Sequence, residues 1–137
     1  MTFESNGDFI RQVKSDLNKK YIGGGKRIAG DISDKKITLF LEDSYGKHSA
    51  FMSQYFYGKI DGKKITGRFR PANYVIILLS VLFAVALESL IFAAVTGGYA
   101  GIVMPAVIII FEIVYFVYLN KTSSENNEII KKYLSAL

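Results

Sequence analysis

Two long apolar runs constrain the fold more than any other feature of this sequence. Between Val75 and Thr96 the only charged residue is Glu88, and between Ile102 and Leu119 the only one is Glu112. A bilayer core about 30 Å thick is crossed by about 20 mostly apolar helical residues, and both runs have that length. The rest of the chain is too short to cover two such helices on all sides. The sequence therefore predicts two membrane-spanning helices, at about 74–96 and 102–119.

The charges divide the chain into three segments and predict its orientation. Residues 1–73 carry 14 Lys and Arg against 8 Asp and Glu, whereas the connection at 96–101 has no charge. Because Lys and Arg near spanning helices stay on the cytoplasmic side, both termini are expected there. We predict a cytoplasmic domain at 1–73, a transmembrane helical hairpin at 74–119 and a cytoplasmic tail at 120–137. No signal peptide is recognisable before the first apolar run, and a prokaryotic-type plasma membrane is the expected location.

The first segment predicts one helix followed by strands. Ile10, Val13, Leu17 and Tyr21 recur at the helical period and favour an amphipathic helix over residues 8–22. Three successive glycines at 23–25 then make further helix costly. From residue 26 to 70, β-branched and aromatic residues dominate, which is typical of strands.

An internal repeat predicts how those strands are joined. Residues 30–38 and 58–66 share a glycine, two isoleucines, two lysines and a threonine at matching positions. Each copy has a polar turn between two apolar stretches, and Asp61-Gly62 is a strong hairpin signal. We predict two consecutive hairpins forming an antiparallel sheet of about four strands, with the N-terminal helix over one face. The fold class is therefore α+β, followed by the helical hairpin.

The tail at 120–137 predicts a short amphipathic helix. Its apolar residues fall on one helical face, at Ile129, Ile130, Tyr133, Leu134 and Leu137. Such a helix lies on the inner membrane surface or packs on the sheet, and the sequence favours neither.

Composition argues against most kinds of catalytic site. The chain has no cysteine and one histidine, His48. Thiol catalysis, disulfides and zinc–cysteine sites are excluded, and His48 lacks further nitrogen or sulfur ligands for a metal. The glycines before Lys26 lack the spacing and the Ser or Thr of a phosphate loop. We expect no metal and no cofactor, and a non-enzymatic protein is favoured over an enzyme.

Basic residues before the first apolar run form one candidate binding site. They are Lys59, Lys63, Lys64, Arg68 and Arg70. The nearest polyanion at that place is an anionic inner leaflet, where each Lys or Arg contributes about 1 kcal/mol of attraction. A membrane-surface patch is therefore favoured over a nucleic-acid site, and the alternative is plain positive-inside topology.

The intramembrane polar pair Glu88 and Glu112 forms the second candidate site. Counting 1.5 Å per residue from each helix end places both near the bilayer midplane. Two charged carboxylates at that depth are costly, so at least one is expected to be protonated. The pair then acts as a hydrogen bond between the helices, as a proton or cation site, or as a contact for a membrane partner.

Two functional hypotheses follow from these features. The first is a non-enzymatic accessory or interaction protein, whose basic cytoplasmic domain binds a partner protein or the inner leaflet. The alternative is a proton- or cation-handling oligomer or transporter subunit built on Glu88 and Glu112. Two helices cannot enclose a pore, so the alternative requires a homo-oligomer or a larger membrane partner.

Overall fold

The structure is a computed structural model that describes residues 1–23, 25–42 and 53–137. Strands and helices follow one another as β1 (Thr2–Glu4), α1 (Phe9–Asp16), β2 (Tyr21–Gly23), β3 (Lys26–Ile32), β4 (Lys36–Glu42), β5 (Tyr55–Asp61), β6 (Lys64–Arg70), α2 (Asn73–Thr96), α3 (Ala100–Thr122) and α4 (Ser124–Ser135). An antiparallel sheet thus precedes three helices, two of which are long and apolar.

The repeat does form two hairpins, β3–β4 and β5–β6, which occupy the centre of one antiparallel sheet. The strand order is β1-β6-β5-β4-β3-β2. Consecutive strands are therefore neighbours, except that β1 and β2 lie at opposite edges of the sheet and are joined through α1. The β5–β6 turn places Gly62 at φ +59°, a backbone region that hairpin turns assign to glycine.

Two details of the predicted sheet domain are wrong. The sheet has six strands rather than about four, because the short segments β1 and β2 pair at its two edges. Helix α1 ends at Asp16 rather than near residue 22. Asn18 has φ +62° and breaks the helix, so that Tyr21 belongs to β2 and is 54% exposed.

One face of the sheet carries the main hydrophobic core. Alternate residues of β3 to β6 point into it, among them Ile28, Leu39, Phe56 and Ile65, each 0% exposed. The core is closed by Phe9 and Val13 of α1 and by one face of α4.

Helix α4 returns from the end of α3 and packs on the sheet. Its buried residues are Ile130, Tyr133 and Leu134, followed by Leu137. The Tyr133 hydroxyl donates a hydrogen bond to Asp16 Oδ2 at 2.8 Å, which joins α4 to the end of α1. Burial is the main cause that raises the pKa of Tyr133 above its ordinary value. Of the two placements open for the tail, the structure has the one against the sheet.

Helices α2 and α3 form an antiparallel hairpin. Buried residues recur at seven-residue intervals along both: Leu79, Ala86 and Ala93 on α2, and Pro105, Glu112 and Leu119 on α3. We call this contact line the seam. In the most apolar 18-residue stretch of each helix, only 17% is buried. Each helix is long and apolar enough to span a membrane.

Candidate functional site

The sheet face opposite the core, here called the outer face, is turned towards the hairpin. Tyr55 of β5 packs with Ala72, Val75 and Leu79 at the start of α2. Tyr57 lies beside it on the same strand face, and its hydroxyl accepts a hydrogen bond from the Asn73 amide at 3.2 Å. The first turns of α2 therefore rest on the outer face, while α1 and α4 cover the opposite one.

Aromatic stacking fixes this junction. The rings of Phe40 and Tyr55 stack with centroids 4.6 Å apart, and those of Tyr55 and Tyr57 lie 6.1 Å apart. Burial is the main cause that raises the pKa of Tyr55 to about 12. Because this folded pKa is raised above 10.0, the neutral phenol stabilises the fold below pH 10, and that contribution is lost as the pH rises towards 12.

The predicted basic patch divides into two parts. Lys59, Arg68 and Arg70 line a groove of about 650 Å³ on the outer face, next to Asn73. Lys63 and Lys64 lie at the other end of the β5–β6 hairpin, about 20 Å from Arg70 along β6 at 3.3 Å per residue. Lys64 is opposite Asp61 on one side and Glu4 on the other, so its charge has acidic neighbours.

Lys36 completes the groove and was missed in the sequence. In the β4–β5 register Lys36 is directly opposite Lys59, and Thr38 is opposite Tyr57. The remaining polar lining comes from Thr66 and Asn73, and none of the described Asp or Glu residues lines the groove. The repeat places Lys36 and Lys64 at equivalent positions, but only the sheet register shows that one faces a lysine and the other an aspartate.

The two glutamates are separated. Glu112 lies in the seam at 7% exposure, and its Oε1 is buried with no hydrogen-bond partner among residues 1–23, 25–42 and 53–137. Glu88 is exposed and lines a different groove near the hairpin turn, together with Ser89, Thr96 and other residues of α2 and α3.

The expectation that both carboxyls lie at one level does not hold. A Cβ added at Gly101 would lie 3.3 Å from the Ala93 Cβ, so these two positions are level. Glu88 is five residues from Ala93 and Glu112 eleven from Gly101, which separates the carboxyl-bearing positions by about 9 Å along the axis. Part of the error arose because α3 begins at Ala100, two residues before the apolar run suggested. The rest arose because Gly101 is level with Ala93 and not with the end of α2 at Thr96.

Comparison with known protein families, with curated proteins and with solved structures finds no match for this chain. Within the described residues, no three His, Asp or Glu side chains converge as metal ligands would. His48 lies outside the described residues.

A buried polar joint between sheet and hairpin was also missed in the sequence. Gln54 is 9% exposed. Its Nε2 donates to Asn120 Oδ1 at 2.7 Å, and its Oε1 accepts from Asn127 Nδ2 at 2.8 Å. The end of α3 and the start of α4 are thereby tied to the segment before β5. Isolated amides in a loop and in a tail carry no sequence signal for such a contact, because only the fold brings them together.

Proposed function

We propose that this protein is a two-span, non-enzymatic membrane interaction protein whose sheet domain lies on the inner leaflet of a prokaryotic-type plasma membrane. One observation carries the proposal: the outer face, with its groove of four basic residues, is the face on which the first turns of α2 rest. If α2 and α3 cross the bilayer, those basic residues lie on the membrane side of the sheet. Attraction to anionic lipid then holds the domain there, leaving α1 and α4 available to a cytoplasmic partner.

The orientation is tested by cysteine labelling, for which the native chain has no background thiol. We expect Tyr99→Cys, at the exposed hairpin turn, to react with an impermeant maleimide in intact cells. Lys14→Cys, on the exposed side of α1, should react only after the cells are opened. The opposite pattern would place the sheet outside the cell and remove the basis for inner-leaflet binding.

Contact with the leaflet is tested with one label on each side of the sheet. Thr66 is exposed on the outer face and Ser135 on α4, beyond the core face. In vesicles containing phosphatidylglycerol, a fluorophore at Thr66→Cys should be quenched by a headgroup-attached quencher more strongly than one at Ser135→Cys. Equal quenching at the two positions would mean that the sheet does not turn its outer face to the lipid.

The second candidate, a proton- or cation-handling oligomer, is favoured by Glu112 alone. One oxygen of that carboxyl, Oε1, is buried and has no hydrogen bond among the described residues. Leaving such a polar atom without a partner costs about 1–3 kcal/mol, and a cost of this kind is often retained at functional sites. Glu88 is the only other acidic residue of the two long helices and is not in the seam, so a second carboxylate beside Glu112 would come from another copy or a partner.

Substitution at Glu112 tests that candidate. We expect Glu112→Met to raise the thermal stability of the hairpin in detergent by about 1–3 kcal/mol, because it removes an unpartnered polar group from the seam. Glu88→Met is the matched control and should change helix packing little. If the ion-handling candidate is right, Glu112→Met also abolishes proton or cation flux in proteoliposomes. Destabilisation by Glu112→Met would show instead that the carboxyl is hydrogen-bonded across the seam.

A further inference from the structure

The groove on the outer face has the charge and size of a small-molecule site. It spans β4, β5 and β6, and its volume of about 650 Å³ falls within the range of about 300–1,000 Å³ typical of ligand pockets. Four side chains that line it are cationic, Lys36, Lys59, Arg68 and Arg70, and none is acidic. A cavity with this lining suits an anion larger than a single inorganic ion.

In the part of the chain that the structure describes, no carboxylate forms an ion pair with a cationic side chain of the groove. Among the described residues, ion pairs join Lys20 to Asp16, Arg27 to Glu42 and Lys131 to Glu128, and none of them includes a groove residue. Lys36 and Lys59 are directly opposite across β4 and β5. Like charges at such a position destabilise a sheet, so an anion held between them would offset a cost that the free protein carries.

Arg70 stacks on Tyr57 at the end of the groove nearest α2. Its guanidinium carbon lies 4.3 Å from the centroid of the Tyr57 ring. Its Nε is buried and has no hydrogen-bond acceptor in the described structure. A stacked guanidinium keeps its planar donors aimed in one direction, which is the arrangement that binds phosphate oxygens through two parallel hydrogen bonds.

We propose that this groove binds a phosphate-bearing ligand, with Lys36 and Lys59 at one end, Arg68 in the middle and Arg70 at the other end. Thr66 is opposite Lys59. Arg68 is two positions further along β6 and Arg70 four, so they lie about 7 Å and about 13 Å from the lysine row. Because Lys and Arg side chains are long, the lysine pair and Arg68 can together contact the two linked phosphates of one diphosphate group. If the phosphate belongs to a lipid headgroup, the site rests on the proposed contact with the inner leaflet. If it belongs to a soluble ligand, the site does not depend on that contact.

The test uses the full chain in nanodiscs of phosphatidylcholine, with inorganic pyrophosphate as the probe. Ligand that binds only the folded state raises the melting temperature. We expect pyrophosphate to raise it in the native protein and in the control Lys63→Gln/Lys64→Gln, which loses the same charge away from the groove. The groove variant Lys36→Gln/Lys59→Gln should lose at least about tenfold in apparent affinity, equivalent to about 1.4 kcal/mol.

A second set of nanodiscs distinguishes the source of the phosphate. A rise with phosphatidylglycerol alone, absent in the groove variant, assigns the site to a lipid headgroup, whereas a rise with pyrophosphate in neutral lipid assigns it to a soluble ligand. Either result supports the groove. Three results would overturn it. They are no rise in melting temperature with either probe, an equal rise in the groove variant and in the Lys63→Gln/Lys64→Gln control, or the same rise with sodium chloride at matched ionic strength.

The free protein offers a control for folding and for the proposed function. Without anion, Lys36→Gln/Lys59→Gln should be at least as stable as the native chain, since it removes a repulsion. A loss of stability there would mean that the lysines serve the fold, and would overturn the site. Because nanodiscs expose both sides of the bilayer, the pyrophosphate result stands even if cysteine labelling places the sheet outside the cell.

Discussion

Gly30→Ala is expected to unfold the sheet. Gly30 has φ +140°, and a Cβ built there would lie 1.9 Å from the Thr38 carbonyl oxygen on β4. Neither strand can move away without breaking the β3–β4 pairing, in which Gly30 is opposite Leu39. We expect a loss of more than about 3 kcal/mol, measured by thermal melting in detergent and by loss of β signal in circular dichroism.

Gly62→Ala is the matched control for that prediction. Gly62 also has positive φ, +59°, but no atom lies within 4 Å of the position that its Cβ would take. Only backbone strain is added there, about 1–2 kcal/mol. If both variants were equally stable, the close approach of β3 and β4 at Gly30 would be wrong.

The central hairpins were predictable because their signals are local. In both copies of the repeat, the turn residues and the alternating isoleucines specify a hairpin within about ten residues of chain, and β3–β4 and β5–β6 follow them. The glycine shared by the copies, Gly30 or Gly58, marks a place where another atom approaches too closely for a Cβ. The hydrophobic face of α4 was equally predictable, because its apolar residues recur at the helical period.

The rest depended on contacts between distant residues. Strand β1 is three residues long and pairs with β6 about sixty residues later, so it has neither the length nor the period that identifies a strand. The groove was only half predictable for the same reason: Lys59, Arg68 and Arg70 cluster in sequence, whereas Lys36 joins them through the β4–β5 register. Likewise, the depths of Glu88 and Glu112 depend on where Gly101 meets Ala93, which helix length alone does not specify.

Leu134→Asp is the second large effect that we expect. Leu134 is 0% exposed and lies in the core with residues of the sheet and of α1. A carboxylate there would be buried among apolar side chains without a partner, which costs more than about 4 kcal/mol. We expect loss of the cooperative thermal transition of the sheet, measured by circular dichroism, and rapid proteolysis within residues 1–70.

Ser135→Asp adds the same charge one position later, where the side chain is exposed. It should leave the free energy of unfolding within about 0.5 kcal/mol of the native value. The pair of variants also decides between the two placements of the tail. If α4 lay on lipid instead of on the sheet, Leu134→Asp would release the helix from the membrane but leave the sheet folded and protease-resistant. Loss of the sheet in Leu134→Asp alone therefore requires that the segment after the second long helix completes the core begun by the first seventy residues.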